Sequence, residues 1–301
     1  MTLSGPGDSR QSKNQRREAA REKAKQLREE QRKKDVRNRV ILISSLSVVV
    51  VAIIVGITLV ITSTLKPAGP GPLNMASDGI QIGTGFVAAT TPALAAGEDP
   101  IATANDPASG TVDIRTYVDY MCPYCGQFEA TNNSQIADWV QSGAATIEIH
   151  PLSILDRSSL GTKYSTRAAN AAACVANYAP DQFWQYNSLL FSNQPAENTE
   201  GLDDAKLKDL ASQAGVTSTD QVNSCIDDTQ FKGWVSDATS RALSGNLPNS
   251  DVSIQGTPTV LVNGQKYSGS LTDPAAFSAF VVQVSNEALS TATPTPSPAA
   301  G

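Results

Sequence analysis

The chain has 301 residues, 40% of them apolar and 17% charged, with a formal net charge of −6. Its single histidine excludes multi-histidine metal sites. The net charge conceals an asymmetry: residues 1–39 carry 13 Lys/Arg against 6 Asp/Glu, residues 40–65 carry no charge, and residues 66–301 carry 10 against 23.

In chain order, the basic head (1–39) has no aromatic residue and mixes its charges. It is expected to be a solvated, partly helical topology signal rather than a nucleic-acid or lipid-headgroup binder, and no nucleic-acid partner is expected. The uncharged stretch 40–65 exceeds the roughly 20 residues that span a bilayer core. A cleavable signal would carry a shorter apolar region of about 7–15 residues and a small-x-small site after it, and neither is present. No cysteine adjoins the run, which excludes lipoprotein processing. The segment is therefore expected to be an uncleaved single-pass anchor, its basic N-terminus cytoplasmic and the acidic remainder extracytoplasmic. Residues 66–108, dominated by Ala, Gly, Pro, Ser and Thr, are expected to be mostly linker, with a possible edge strand near 79–83.

Residues 109–288 have the length and apolar content of one domain. Residues 111–120 are rich in β-branched and aromatic side chains and predict a strand. Cys122-Pro123-Tyr124-Cys125 follows, and then apolar residues Phe128, Ile136, Trp139 and Val140 at helical spacing. A C-x-x-C pair between a strand and a helix points to redox chemistry rather than metal binding. At a helix N-terminus, unpaired amides and the positive end of the helix dipole stabilise a thiolate. Pro123 suits the first helical turn, where its missing N–H costs nothing, and Cys125 sits one turn on, close enough to close a disulfide with Cys122. Residues 145–150 predict a second strand, and helix is expected from about 162 to 244 with stops at Pro180, Pro195 and Gly215. Then come a strand at 257–264, a short partner at 266–269, a last helix over 273–287, and a low-complexity tail (289–301) expected to be disordered. Strand–helix–strand, a helical insert over about 160–248, then strand–turn–strand–helix is an α/β thioredoxin fold with an inserted helical subdomain, here preceded by a transmembrane helix.

The segment 119–125 resembles the active site of the DsbA-like thiol:disulfide oxidoreductases, above all the membrane-anchored actinobacterial type. Gly256-Thr257-Pro258-Thr259-Val260 resembles that family's cis-proline loop, and residues 164–174 its first inserted helix. The resemblance covers roughly 76–288. It implies that Cys122 is the exposed nucleophile, Cys125 its buried partner, and Pro258 the cis-proline beside them, with Thr257 presenting backbone to an incoming peptide. It further implies secreted protein substrates with free thiols and a quinone-linked membrane partner that reoxidises the enzyme, with no bound cofactor. Two departures bear on oxidising strength. Thr116 stands where relatives often bury a carboxylate, and Tyr124 stands where the strongest oxidants have histidine. Asp119 is expected to face the other side of an ideal strand, as a cap, a proton relay or a structural hydrogen-bonding group.

Cys174 and Cys225, 51 residues apart, are expected to form a structural disulfide in preference to buried free thiols or a zinc site, which usually takes two close pairs. His150 is expected to be a structural turn residue or to line the groove. The aromatic stretch 183–191 is expected to be mainly insert core, and Asn132-Asn133-Ser134 fits a glycan acceptor. The leading function is a dithiol oxidase. The alternatives are an isomerase or reductase, or a tethered peptide-binding chaperone or sensor without redox turnover. No dimerisation module is visible, so a monomer is expected.

Overall fold

The computed structural model describes residues 69–104, 109–245, 247–248 and 250–291, together with parts of 18–34. The chain divides into two units, Met1–Lys66 and Pro67–Gly301. In the first, the described residues between 18 and 34 are helical and exposed. The expected anchor at 40–65 lies outside the described residues, and among the described ones no helix is long and apolar enough to cross a membrane.

The second unit is built on a five-stranded sheet. Strand β1 (Ile80–Ile82) pairs antiparallel with β3 (Ala145–Pro151), which runs parallel to the central β2 (Val112–Val118). On the other side of β2 lie β4 (Thr259–Val262) and then β5 (Gln265–Lys266), both antiparallel to their neighbours. Parallel neighbours need a crossover, and helix α1 (Pro123–Ser142) supplies it. It buries Phe128, Ile136 and Val140 and ends at Gly143, whose φ of 79° is the left-handed conformation glycine tolerates. All seven residues of β2 are buried, because the sheet is covered on both faces.

Five helices separate β3 from β4: α2 (Tyr164–Tyr178), α3 (Phe183–Ser192), α4 (Asp204–Gln213), α5 (Thr219–Asp227) and α6 (Lys232–Ser244). Breaks fall at Pro180, around Pro195 and at Gly215, with one more near Thr229 that the sequence did not signal. Buried Ala168, Ala169, Ala171, Ala172 and Ala173 keep α2 thin enough for its neighbours to approach closely. Cys174 and Cys225 are disulfide-bonded, joining α2 to α5 at a Cα–Cα distance of 5.8 Å. Of the aromatic stretch, Phe183, Trp184, Tyr186 and Phe191 are buried. Asn132 is buried too, its amide donating to the Phe128 carbonyl, so a sugar cannot reach it in the folded domain. The last helix, α7 (Pro274–Thr291), packs Phe277 edge-on against Phe128 and Tyr267. It extends past the boundary expected at 288, and 292–301 lie outside the described residues.

Residues 69–104 are not the linker their composition suggests. Met75, Ile80 and Ile82 are fully buried, and Ala76, Ser77 and Leu94 nearly so. The Leu73 amide donates to Asn177 Oδ1, and Asn74 Nδ2 to the Ala176 carbonyl, fastening this strap to the end of α2. Bulk composition underestimates such a segment, because a few large apolar residues at the right spacing suffice once side-chain amides satisfy the backbone.

A buried polar layer ties the strap to the sheet. Arg115 pairs with Asp113 at 2.8 Å and Glu148 at 3.1 Å, and its Nη1 donates to the Pro248 carbonyl. Glu148 also accepts from the hydroxyls of Ser77 and Thr103, both in the strap. Burial opposes the charge on Glu148, but His150, Arg115 and Ser77 outweigh it and hold the carboxyl down at about 2. His150 is neither a turn residue nor part of the groove. It lies inside β3, buried, stacked on Tyr117 at 4.2 Å between ring centres, with Gly79 of the strap pressed against its ring. Losing one member of such a layer leaves a buried charge uncompensated, so the layer holds the strap in one register.

Candidate active site

Strand β2 ends at Val118, and the chain turns so that the Cys122 amide donates to the Asp119 carbonyl at 2.9 Å. Cys122 then occupies the N-cap of α1 with extended backbone, and Pro123 follows in the first turn. No side chain caps this helix, so its first amides and dipole are left to act on the thiol. Facing Cys122 is the loop that enters β4. The Thr257 carbonyl accepts from Cys122 Sγ at 3.1 Å, and the Thr257–Pro258 peptide bond is cis. The fold thus brings Cys122, Cys125, Thr257 and Pro258 together from segments 135 residues apart.

Both cysteines are free thiols and both are buried, Cys122 at 5% exposure and Cys125 at 1%. Cys122 is therefore less open than the sequence resemblance implied, because Thr257 walls it in. The exposed members of the motif are Pro123 and Tyr124, the latter at 59%. The two thiols are driven apart electrostatically. Hydrogen bonding from the Cys125 thiol, with Thr257 and the amides of Cys125 and Tyr124, overcomes burial and lowers Cys122 to about 6. Burial, and then the neighbouring Cys122, push Cys125 up. Alkylation of the reduced protein should therefore follow a single thiolate with a midpoint near 6, below the free-cysteine value of about 8.5. Cys125 should stay unmodified through neutral pH. A midpoint at or above the free value, read from alkylation rate against pH, would remove the activation argument.

Asp119 lies beyond the strand end, so strand alternation does not govern where its side chain goes. Its carboxylate accepts from the Met121 and Leu155 amides and the Ser165 hydroxyl, joining the end of β2 to the β3–α2 loop and to α2. Burial raises this carboxyl, and the three donors partly offset the rise. Thr116 is buried within β2 opposite Val260 and Ile149, with no carboxylate of its own.

Two residues around the motif carry no sequence signal. Glu129, one turn past Cys125, accepts from Asn133 and Asn187, and burial lifts its carboxyl to about 7. It lines a cavity of about 320 Å³ between α1 and α3. Gln194, just after α3, donates its side-chain amide to the carbonyls of Tyr120 and Cys122. Only a helical period or a paired motif marks a residue in sequence, and a lone loop glutamine has neither.

A family model described as Thioredoxin matches residues 105–282. Among solved structures, the chain is 30% identical to reduced DsbA from Mycobacterium tuberculosis, covering 72% of this chain and 100% of that one, with a TM-score of 0.52. It is 29% identical to the reduced disulfide bond oxidoreductase DsbG of the same organism, covering 73% and 96%, also with a TM-score of 0.52. Among curated proteins, it is 29% identical over 152 residues to disulfide bond formation protein D of Bacillus subtilis, 50% of this chain and 63% of that protein. It is also 32% identical over 154 residues to the serine/threonine-protein kinase PknE of M. tuberculosis. That match spans 50% of this chain and only 26% of the kinase.

Proposed function

The chain belongs to the thioredoxin family, with DsbA-like relatives, and from that we propose that it is a membrane-anchored extracytoplasmic thiol:disulfide oxidoreductase acting as a dithiol oxidase. The observation that carries this reading is the placement of Cys122 Sγ at an uncapped helix N-terminus, 3.1 Å from the carbonyl of Thr257. In the oxidised enzyme a substrate thiolate attacks Cys122 Sγ, the Cys122–Cys125 bond breaks, and Cys125 leaves as a thiolate and takes a proton. The second substrate thiolate then attacks its own sulfur in the mixed disulfide and expels Cys122. The substrate dithiol loses two electrons and two protons; the enzyme disulfide gains the two electrons, Cys125 takes one proton, and Cys122 leaves as a thiolate with the other proton released to solvent. A low thiol pKa at Cys122 makes it a good leaving group and stabilises the reduced enzyme, and both effects favour oxidation of the substrate. The backbone of Thr257 supports the reading as a place for an extended substrate segment to pair alongside the sulfur. The uncharged run at 40–65 supports a single-pass anchor, with secreted thiol proteins as substrates and a quinone-linked membrane protein as the reoxidant. Asp119 acts as a structural tie and the Cys174–Cys225 bond as a structural brace.

Equilibration of the full chain in detergent micelles with glutathione tests the direction of exchange. The expected potential lies nearer that of a strong oxidant, about −120 mV, than that of thioredoxin, about −270 mV. A value at or below the thioredoxin end would make the protein a reductase, and failure of the pair to exchange at all would leave a peptide-binding module.

A further inference from the structure

Gln194 stands on the loop leaving α3, in the helical insert, yet its side chain reaches the catalytic turn. Its Nε2 donates to the Cys122 carbonyl at 2.8 Å and to the Tyr120 carbonyl at 3.2 Å. The Cys122 carbonyl is also the first acceptor of α1, taking the amides of Cys125 and Gly126 at 3.0 and 3.2 Å. The amide of Gln194 therefore grips the chain on both sides of Met121, at the peptide that carries the reactive sulfur into the helix.

The residue that admits this grip is Gly126. A Cβ at that position would collide with Gln194 Oε1 and lie 3.1 Å from its Cδ. The obstructing atoms are the tip of a flexible side chain, so a methyl group there displaces the glutamine and spares the backbone. Glycine inside a helix is less favourable than alanine, because it gives up more backbone freedom on folding. Gly126 sits in the first turns of α1, where that cost goes with room for the amide.

We infer that Gln194 is a positioning residue for the dithiol site: through the Tyr120 and Cys122 carbonyls it fixes the peptide that holds Cys122 Sγ at the start of α1, and Gly126 is glycine to leave it room. The inference rests on the dithiol reading of Cys122–Cys125. It gives the helical insert a direct part in the chemistry. Without the grip, the Cys122 peptide is free to rotate away from the geometry that presents the sulfur to the helix amides, and the thiolate loses part of its stabilisation.

The test titrates Cys122 by thiolate absorbance and equilibrates the pair with glutathione, using the full chain in detergent micelles. Gln194→Ala should raise the Cys122 titration midpoint by about 0.5 pH unit, on the scale of part of one net hydrogen bond. It should shift the glutathione equilibrium about threefold toward the disulfide form, ~14 mV. Gln194→Glu cannot donate when ionised and should shift at least as far. Gly126→Ala, which should fold at least as well as the parent, should reproduce the Gln194→Ala shift, and the double variant should add nothing. A Gln194→Ala midpoint unchanged within error, or single effects that sum in the double variant, would overturn the inference. If the parent chain does not exchange with glutathione, the dithiol reading fails, and the Cys122 titration still decides the role of Gln194.

Discussion

Cys122→Ser is expected to reduce dithiol exchange to the uncatalysed rate, whereas Cys125→Ser is expected to accumulate mixed disulfides with substrates through Cys122. The asymmetry follows from the two environments. Cys122 is the helix-end sulfur whose thiolate is favoured at neutral pH, its pKa lowered to about 6, while burial keeps Cys125 protonated. An incoming thiolate attacks the more accessible sulfur and expels the other. Without Cys125, a disulfide formed between Cys122 and a substrate has no internal thiol to reverse it and persists until the substrate resolves it. Non-reducing electrophoresis with mass spectrometry of the trapped adducts reads the result. Adducts on Cys125 in the Cys122→Ser protein, at the level seen for the reverse variant, would show that the roles are interchanged.

The second large effect concerns stability. Replacing Cys174 and Cys225 together by alanine should destabilise the domain by about 4 kcal/mol, the chain-entropy value for a loop of this length. The bridge closes 51 residues and joins α2 to α5 with both sulfurs in the insert core, where Cys174 and Cys225 are almost wholly buried. The Cys122–Cys125 potential should stay unchanged in the same variant, because the dithiol depends on the start of α1 and the Thr257 loop. Denaturant unfolding gives the first quantity and glutathione equilibration the second. A large change in potential would turn the second pair into a redox relay and the enzyme into a two-dithiol device.

Legibility in the sequence divides along physical lines. Features with a period or a paired spacing were readable: the strand before Cys122, the helix carrying Phe128, Ile136 and Val140, and the strand after Pro258. Within the strap only the alternation around Ile80 and Ile82 carries a strand signal; the rest packs through isolated residues such as Met75 and Leu94, which bulk composition averages away. His150 falls in the predicted strand 145–150, but the proline after it suggests a turn or groove role, whereas the strand runs on through Pro151 and His150 stacks inside the sheet on Tyr117. The buried layer did leave a trace. Asp113, Arg115 and Tyr117 alternate on one strand, and Glu148 and His150 on its parallel neighbour, so one side of the sheet carries a polar or charged group at every second position. Strand alternation ordinarily assigns such residues to solvent, and only the tertiary cover supplied by the strap and the segment at Pro248 turns that face inward. Gln194 and Gly126 could not be paired from sequence at all, since a single polar contact between a loop and a helix start has no pattern.

The insertion of five helices between β3 and β4 also sets an order in time. As the chain emerges from its N-terminus, Cys122 and Cys125 appear first, then Cys174 and Cys225, and the Thr257 wall arrives only after more than 130 residues have followed the dithiol. During that interval the reactive thiol stands at a nascent helix end without the carbonyl that later faces it. The earliest neighbouring sulfur it can meet is Cys125, one turn away, and the next is Cys174. Close spacing thus favours a Cys122–Cys125 bond over a crossed one to Cys174 while the strand that completes the site is still missing.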